Sequence, residues 1–461
     1  MRTSTLEVMT ERTSALPASL PAEGTLLELD VVDLGSHGQG VGRTDSGLVV
    51  MVPDGIPGDR VVARVSRRHR NRVDASLETL LRPSPDRVVP RCRHFGVCGG
   101  CSLQMQAPAA QRWFKGRRLR ELLHRQAGLG DVPVDEALAV GESYEYRGRM
   151  AFTAGRTEGD RLAIGLHGRG GDLLDLAECH LPHPRVMSIL AVARAALAPD
   201  TSCKDLGDGP LRLDIRHSLA QDRVHLAIAW SGEPPAAVVR RLKALVVDQP
   251  GLSIALGRAG GVRHLAGPDD SWEELAGVRV PLDPRVFLQT NPAGATVLYE
   301  QALDWLRPAA PGVLLDLYAG VGVLARAGRR DFDGAVAVES SSAAIRHGRR
   351  ATAEDSEIRF LQGEVRVVVA TLVVAGRHFP AAAVNPPRGG LHSRLPQQLA
   401  SLGVTRIAYI SCHAATLARD LARLDRAGYR TVRVTPFDLF PQTAEMEVLA
   451  RLERKRSSGP R

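Results

Sequence analysis

The chain has 461 residues, too many for one ordinary hydrophobic core, so two or three domains are expected. Hydrophobic residues at 44% and charged residues at 24% describe a globular composition, and the surplus of 60 Lys and Arg over 51 Asp and Glu, +9, suits a polyanionic partner such as nucleic acid, although an Arg-rich solvated surface gives the same sum. No apolar run approaches the roughly 20 residues that cross a bilayer, and Met1 to Leu20, holding Glu7 and Glu11, lack the apolar core and cleavage site of a secretion signal. No membrane association is therefore expected. A cytoplasmic protein with a disordered extension over residues 1–22 is, and in that compartment the six cysteines serve as ligands, nucleophiles or core thiols before disulfides.

Residues 23–84 alternate apolar and polar positions in short runs. Leu26–Val32, Gly47–Val52 and Arg60–Val65 read as strands of a small antiparallel barrel, with glycines 35, 38, 40 and 42 at turns and bends. Arg67, Arg68, His69, Arg70 and Arg72 add a cationic edge, and a small barrel with a basic face is a common nucleic-acid platform. Residues 85–276 mix types and read as an α+β domain: a basic helix over Gln111–Gln126, strands at Tyr146–Thr153 and Leu162–His167, a helix over Arg185–Ala198, and strands at Leu211–Ile215 and Val224–Trp230. From residue 277 to 453 the apolar runs Val313–Leu317, Ala335–Val338, Ala381–Val384 and Arg406–Ile410 alternate with helical stretches, which predicts a parallel sheet covered by helices. Residues 454–461 form a basic tail.

Cys92, Cys98 and Cys101 stand in CRHFGVCGGCSLQ with C-x5-C-x2-C spacing, and Cys179 is a candidate fourth partner. One glycine-bearing loop can present three thiolates to one centre. All-thiolate ligation suits an iron–sulfur cluster or tetrahedral zinc, and the spacing favours the cluster; the bland alternative is buried thiols. Cys203 is read as an incidental or buried thiol.

VLLDLYAGVGVLA, from Val313 to Ala325, is an apolar strand entering a glycine turn and then a helix. Gly320 and Gly322 would let backbone approach a ligand at the strand's carboxyl end, and Glu339, at the end of the next strand, could accept hydrogen bonds from ribose hydroxyls. Dinucleotide enzymes share that pattern, and so does a plain strand-to-helix turn. Asn385 opens the rigid turn NPPRGGL after a third strand. Cys412 follows the strand Arg406–Ile410 where a helix begins, a place that favours thiolate, and Glu447 stands on a last strand.

The order of these segments resembles the uracil-5 RNA methyltransferases, the bacterial 23S ribosomal RNA and tRNA 5-methyluridine enzymes. The matching pieces are CRHFGVCGGCSLQ, FLQTN, DLYAGVG, NPPRGGL, SCHAATLARDL and FPQTAEME, in order from Cys92 to Glu447, and the barrel is similar to the TRAM module that many members carry. The resemblance implies an OB-like TRAM barrel, a central α+β domain and a C-terminal Rossmann-like methyltransferase domain. It implies S-adenosylmethionine as methyl donor, bound by Gln289, Tyr318, Glu339, Asn385 and Glu364 with the glycine turn. Cys412 would add to uracil C6 so that C5 becomes nucleophilic, and Glu447 would remove the C5 proton. Cys92, Cys98, Cys101 and Cys179 match the family's [4Fe–4S] ligands, in a structural or RNA-positioning role. RNA is the implied partner, ribosomal RNA ahead of tRNA, and a monomer is the simplest assembly.

The chain departs from that pattern at three places: Asn385 where the family has Asp, Ala319 where it has Cys, and Glu445 where it has His. Two other readings follow from the residues. One is an RNA-binding protein on a decayed methyltransferase scaffold; the other is an iron–sulfur redox or radical enzyme, against which four candidate ligands with C-x5-C-x2-C spacing speak.

Overall fold

A computed structural model of the chain describes residues 20–156, 161–197, 211–230, 232–258 and 261–456. Most of the expected N-terminal extension, Cys203 and the last residues of the basic tail lie outside the described residues. Two compact units separate: residues up to Pro90 with Ser102–Ala107, and Arg91–Cys101 with the chain from Pro108 onward.

The first unit is a closed barrel of β1 (Leu26–Leu34), β2 (Gly40–Arg43), β3 (Val49–Val52), β4 (Arg60–Arg68) and β5 (Arg72–Arg82), in the order β1-β2-β3-β5-β4. Alternate positions such as Leu29, Val31, Val61, Ala63, Val65 and Val73 turn inward and fill it, the period-2 pattern of a half-buried strand. Gly40 and Gly42 are not turn residues: both lie in β2, and a Cβ on Gly42 would come within 1.9 Å of the Leu29 side chain. They are glycine because strand and core meet too closely for a side chain. Arg67, Arg68, Arg70 and Arg72 are all exposed at the β4–β5 hairpin, as the cationic edge required.

The second unit holds two large sheets. After α1 (Pro108–Leu122), one turn of π-helix (Leu123–Ala127) and the short β6 (Leu138–Ala139), the chain builds a seven-stranded sheet. Its strands are β7 (Arg149–Arg156), β8 (Leu162–His167), β9 (Leu173–Asp175), β10 (Leu211–Ser218), β11 (Arg223–Ala229), β12 (Leu252–Arg258) and β13 (Gly261–Ala266). Helices α2 (Pro184–Leu197) and α3 (Ala236–Asp248) share its core. A hairpin, β14 (Trp272–Leu275) and β15 (Val278–Pro281), then leads into α4 (Pro292–Leu306), whose first turn is capped by the Asn291 side chain accepting from the Gly294 amide at 3.0 Å, with Pro292 in the first helical position.

The rest is doubly wound. Strands β16 (Val313–Leu317), β17 (Gly334–Glu339), β18 (Ile358–Gln362), β19 (Ala381–Val384) and β20 (Arg406–Ser411) run parallel, joined through α5 (Val323–Ala327), α6 (Ser342–Ala351), α7 (Val365–Val374) and α8 (Leu395–Ser401). After α9 (Ala414–Arg426), β21 (Tyr429–Asp438) and β22 (Glu447–Arg454) pair antiparallel, giving the order β18-β17-β16-β19-β20-β22-β21-β6. Continuous apolar strands such as Ala381–Val384, buried at every position, are what a sheet covered on both faces demands. Among the described residues no helix is long and apolar enough to cross a membrane.

The expected boundary at residue 276/277 does not divide the packing. Leu119 and Leu123 belong to the core on one face of the C-terminal sheet, Leu275 and Val280 to the core on the other, and β6 forms that sheet's edge beside β21. The tie is polar as well as apolar. Lys115 on α1 is fully buried and its ammonium donates to Asp438 at 2.5 Å and to the Phe440 carbonyl at 3.1 Å, while Gln111 is hydrogen-bonded to Gln442 through both its side-chain groups. Burial lowers the Lys115 pKa and Asp438 opposes that. Removing one partner of such a pair leaves the other charged and dry. Asp438→Ala should therefore cost about 3 kcal/mol in a urea titration, and pairing it with Lys115→Met should recover most of the loss.

Candidate active site

The first parallel strand carries the ligand turn. β16 ends at Leu317, and Tyr318 (φ 61°), Gly320 (57°) and Gly322 (77°) all take left-handed backbone before α5 begins. A tyrosine there is uncommon and marks a turn held by its surroundings. The two glycines do different work. A Cβ on Gly320 would meet nothing within 4 Å, so this residue leaves open space for a ligand, whereas one on Gly322 would strike Phe360 at 2.6 Å. Gly322 is thus needed for packing as well as for its positive φ.

A cleft at this turn is lined by Phe287, Gln289, Asp316, Tyr318, Gly320 and Asn385 among others. Glu339 sits just behind: one carboxylate oxygen accepts the Gly320 amide at 3.0 Å and the other the amides of Ser340 and Ser341, both at 2.7 Å. Glu364, by contrast, is exposed at the start of α7 and does not line the cleft.

Asp316 was not singled out from the sequence. It is 1% exposed, accepts the Ala325 amide at 2.9 Å, and burial followed by the nearby Glu339 carboxylate pushes its pKa up to about 7. Its signal was available, since it is the one charged residue inside the apolar run Val313–Leu317.

The other half of the site lies where β20 ends and β22 begins. Ser411, the last residue of β20, pairs with Val448; Cys412 follows the one and Glu447 precedes the other, and the Glu447 carboxylate is near enough to act on the thiol. Glu447 is 4% exposed, and burial raises its pKa to about 7, while a hydrogen bond from Gln289 pulls the other way. Cys412 is half-buried. The expected lowering of its pKa by a helix N-terminus does not hold: burial and the Glu447 carboxylate push the thiol up, and α9 starts only at Ala414, with the His413 ring accepting the Thr416 amide. The group that opposes this rise is Arg388, which hydrogen-bonds the thiol and also reaches Glu445 at 3.6 Å. Arg388, like Asp316, went unnoticed inside a quoted motif.

The loop carrying Asn385 and Arg388 is fixed from α9. Buried Asp420 accepts the Leu391 amide at 2.7 Å and the Tyr409 hydroxyl at 3.0 Å, and Arg419 donates to the Gly389 carbonyl at 2.7 Å. The Asn385 amide itself donates to the Leu317 carbonyl at 3.2 Å, holding β19 and β16 together at the cleft.

Comparison with known proteins accounts for this arrangement. A family model described as "TRAM domain" matches residues 22–77, and one described as "tRNA (Uracil-5-)-methyltransferase" matches residues 364–455. The chain is 30% identical over 435 residues to a protein of Cronobacter sakazakii named 23S rRNA (uracil(1939)-C(5))-methyltransferase RlmD, covering 91% of this chain and 94% of that one. The chain belongs to the RNA uracil-5 methyltransferase family. An RNA methyltransferase of Caldanaerobacter subterraneus is 27% identical over 94% of this chain and 98% of its own. In fold, the chain is similar to a Pyrococcus abyssi tRNA (uracil-54, C5)-methyltransferase solved with S-adenosyl-L-homocysteine (TM-score 0.73, 24% identity, 92% of this chain and 100% of that one).

The cysteines expected as ligands lie in one neighbourhood. Burial raises the thiol pKa of Cys92 and of Cys179, with Cys98 adding to both and Cys92 adding to Cys179, and backbone amides point at the sulfurs, from His94 and Phe95 to Cys92, from Gly100 to Cys98 at 3.4 Å and from Leu181 to Cys179. Cys101 and Cys179 both act on Arg147. Yet among the described residues no three His, Cys, Asp or Glu side chains form a group that could hold a metal ion as they stand. Cys92, Cys98, Cys101 and Cys179 form no disulfide.

Glu447 has a consequence for stability. Its folded pKa, about 7, lies above the ordinary 4.5, so the neutral carboxyl is the form that the fold favours. The stability it contributes is full below about pH 4.5 and is lost as pH rises through about 7. Unfolding free energies from urea titrations of the wild type and Glu447→Gln should accordingly agree at low pH and diverge by up to about 3 kcal/mol in favour of the variant by about pH 8.

Proposed function

We propose that this protein transfers a methyl group from S-adenosylmethionine to C5 of a uridine in RNA, with Cys412 as nucleophile and Glu447 as general base. The observation that carries the reading is the juxtaposition of a thiol and a buried carboxylate where β20 ends and β22 begins, beside the cleft at Tyr318–Gly320. The methyl donor supplies an electrophilic carbon on a sulfonium; the cleft has an open glycine turn and a carboxylate held at Glu339 to receive such a ligand. Gln289 lines the cleft and hydrogen-bonds Glu447, so it stands at both the donor and the base.

Uracil C5 is too weak a nucleophile to take the methyl group unaided. Addition of the Cys412 thiolate to C6 forms the S–C6 bond and places the electron pair on C5 and O4 as an enolate. Arg388, against the sulfur, favours the thiolate that must attack. After C5 gains the methyl group, Glu447 takes the C5 proton, the C5–C6 double bond re-forms and the S–C6 bond breaks. A carboxylate tuned to about 7 is matched to that proton transfer near neutral pH. A uridine inside structured RNA must first leave its stack, since neither side chain could reach a paired base.

Ribosomal RNA is preferred over tRNA in this reading, on the relatives named RlmD in Cronobacter sakazakii and Edwardsiella ictaluri, and a cytoplasmic monomer is the form in which we expect it to act. Cys92, Cys98, Cys101 and Cys179 would hold a [4Fe–4S] cluster, a reading supported by the amides directed at three of the sulfurs. Methyl transfer from a sulfonium moves no electron, so the cluster's role would be to shape the RNA-facing surface. Anaerobic reconstitution should give the broad visible absorption of a thiolate-bound cluster, reduced in Cys98→Ser; zinc alone on metal analysis would overturn this part.

RNA carrying 5-tritiated uridine tests the reaction. With S-adenosylmethionine the wild type should release tritium and Cys412→Ala should not. Glu447→Gln should slow release by about 10²–10⁴-fold while a denaturation-resistant protein–RNA adduct accumulates. Absence of release from wild type that binds both RNA and methyl donor would sink the enzyme reading. Asn385, in place of a carboxylate, would then favour the RNA-binding scaffold.

A further inference from the structure

A second cavity lies away from the thiol and the glycine turn, between the seven-stranded sheet and the segment Pro281–Arg285 that leads towards Gln289. Its floor comes from β11 and β12 (His225 and Ser253), one side from Ser271, and the far wall from Pro281, Pro284 and His347 of α6. It encloses about 700 Å³ including its open mouth.

Two of its polar atoms have no hydrogen-bond partner although both are buried. They are Nε2 of His225 and Oγ of Ser271, the latter on a residue only 8% exposed. Leaving such atoms unpaired costs about 1–3 kcal/mol each, so a ligand that pairs both is favoured by that much. The other ring nitrogen of His225, Nδ1, is already engaged with Ser253 Oγ at 3.1 Å, so Nε2 is the ring atom left for a further partner. Burial lowers the His225 pKa to about 4, so at neutral pH this floor offers a neutral imidazole and a hydroxyl.

That chemistry discriminates among ligands. An anion would find no charge at the floor, and the Asp283 carboxylate is present, though taken by His347 at 2.8 Å and Arg285 at 2.9 Å. A cation would meet Arg285 at the rim and the influence of Arg216 on the floor. A neutral planar group with hydrogen-bonding edges, slotted beside Pro281 and Pro284, satisfies both orphaned atoms. We propose that this cavity binds an unstacked nucleobase of the RNA substrate, read by His225 and Ser271. The source of the base rests on the RNA-methyltransferase reading above; an enzyme that must open RNA structure to reach one uridine has neighbouring bases to place.

The full chain is titrated calorimetrically with each of the four nucleoside monophosphates, as wild type, His225→Phe and Ser271→Leu. At least one should bind the wild type saturably, weaken about tenfold in His225→Phe through loss of a hydrogen bond at a buried partner, and bind Ser271→Leu more weakly still. S-adenosylhomocysteine binding should be unchanged in both variants, which also shows that they are folded; if Ser271→Leu fails that control, His225→Phe alone decides. No saturable binding by any of the four, or binding that ignores both substitutions, overturns the proposal and leaves the cavity to solvent. The readout needs no turnover, so nucleotide binding without tritium release would sink the methyl-transfer reading while this site stood.

Discussion

The buried guanidinium of Arg216 is the interaction on which the geometry of the site depends. It is 0% exposed, engages Asp214 on its own strand at 3.1 Å, and donates to the carbonyls of Asp283 and Val286 at 2.8 Å and Pro284 at 3.1 Å. A buried charge persists only when its donors are matched, and here the acceptors are the backbone of a segment with no regular structure of its own. That segment runs directly into Phe287–Asn291. Gln289 is thereby set against Glu447, and Asn291 caps α4 while donating to the Leu439 carbonyl at 3.1 Å. The seven-stranded sheet is thus linked to Glu447 through the segment that carries Gln289.

Within the site, opposed electrostatic effects set the chemistry. In the proposed reaction the thiol must ionise to attack, and the carboxylate must stay ready to accept a proton. Burying both raises both pKa values; the Glu447 charge further disfavours the thiolate, and the Glu445 charge disfavours the ionised Glu447. Arg388 and Gln289 are the counterweights, one at the sulfur and one at the carboxylate. Arg388 is largely exposed, so approach of RNA and loss of water would strengthen its hold on the sulfur. Glu445 stands on the other side of Arg388 and competes with the thiol for it, which gives the departure at that position a physical meaning.

Legibility followed periodicity. Strands such as Val313–Leu317 and Ala381–Val384 were readable as continuous apolar runs between glycine and proline signals, and the structure has them at those bounds. β2 was hidden because its glycines look like turn residues, and Ile358–Gln362 because Arg359 and Gln362 interrupt the apolar pattern at the edge of the sheet. Among site residues, Gln289, Tyr318, Gly320 and Asn385 do converge on one cleft, whereas Gly322 turns to Phe360 and Glu364 to solvent. Asp316 was legible as the one charge inside an apolar strand and was passed over, whereas Arg388 had no such signal, since its partners Cys412 and Glu445 are set only in the packed chain.

The sequence by itself determined the succession of barrel, mixed sheet and doubly wound sheet, the glycine turn after β16, and the presence of a thiol and a carboxylate at two strand ends. Those follow from local propensity and periodicity, which act over a few residues. Only the tertiary structure decided that Glu447 lies near enough to act on Cys412, that α1 belongs to the C-terminal core through Lys115 and Asp438, and that a thiol ahead of a helix is pushed up in pKa rather than down. Each of these depends on register or burial between residues far apart in the chain, where one shift of pairing or one neighbouring charge reverses the outcome.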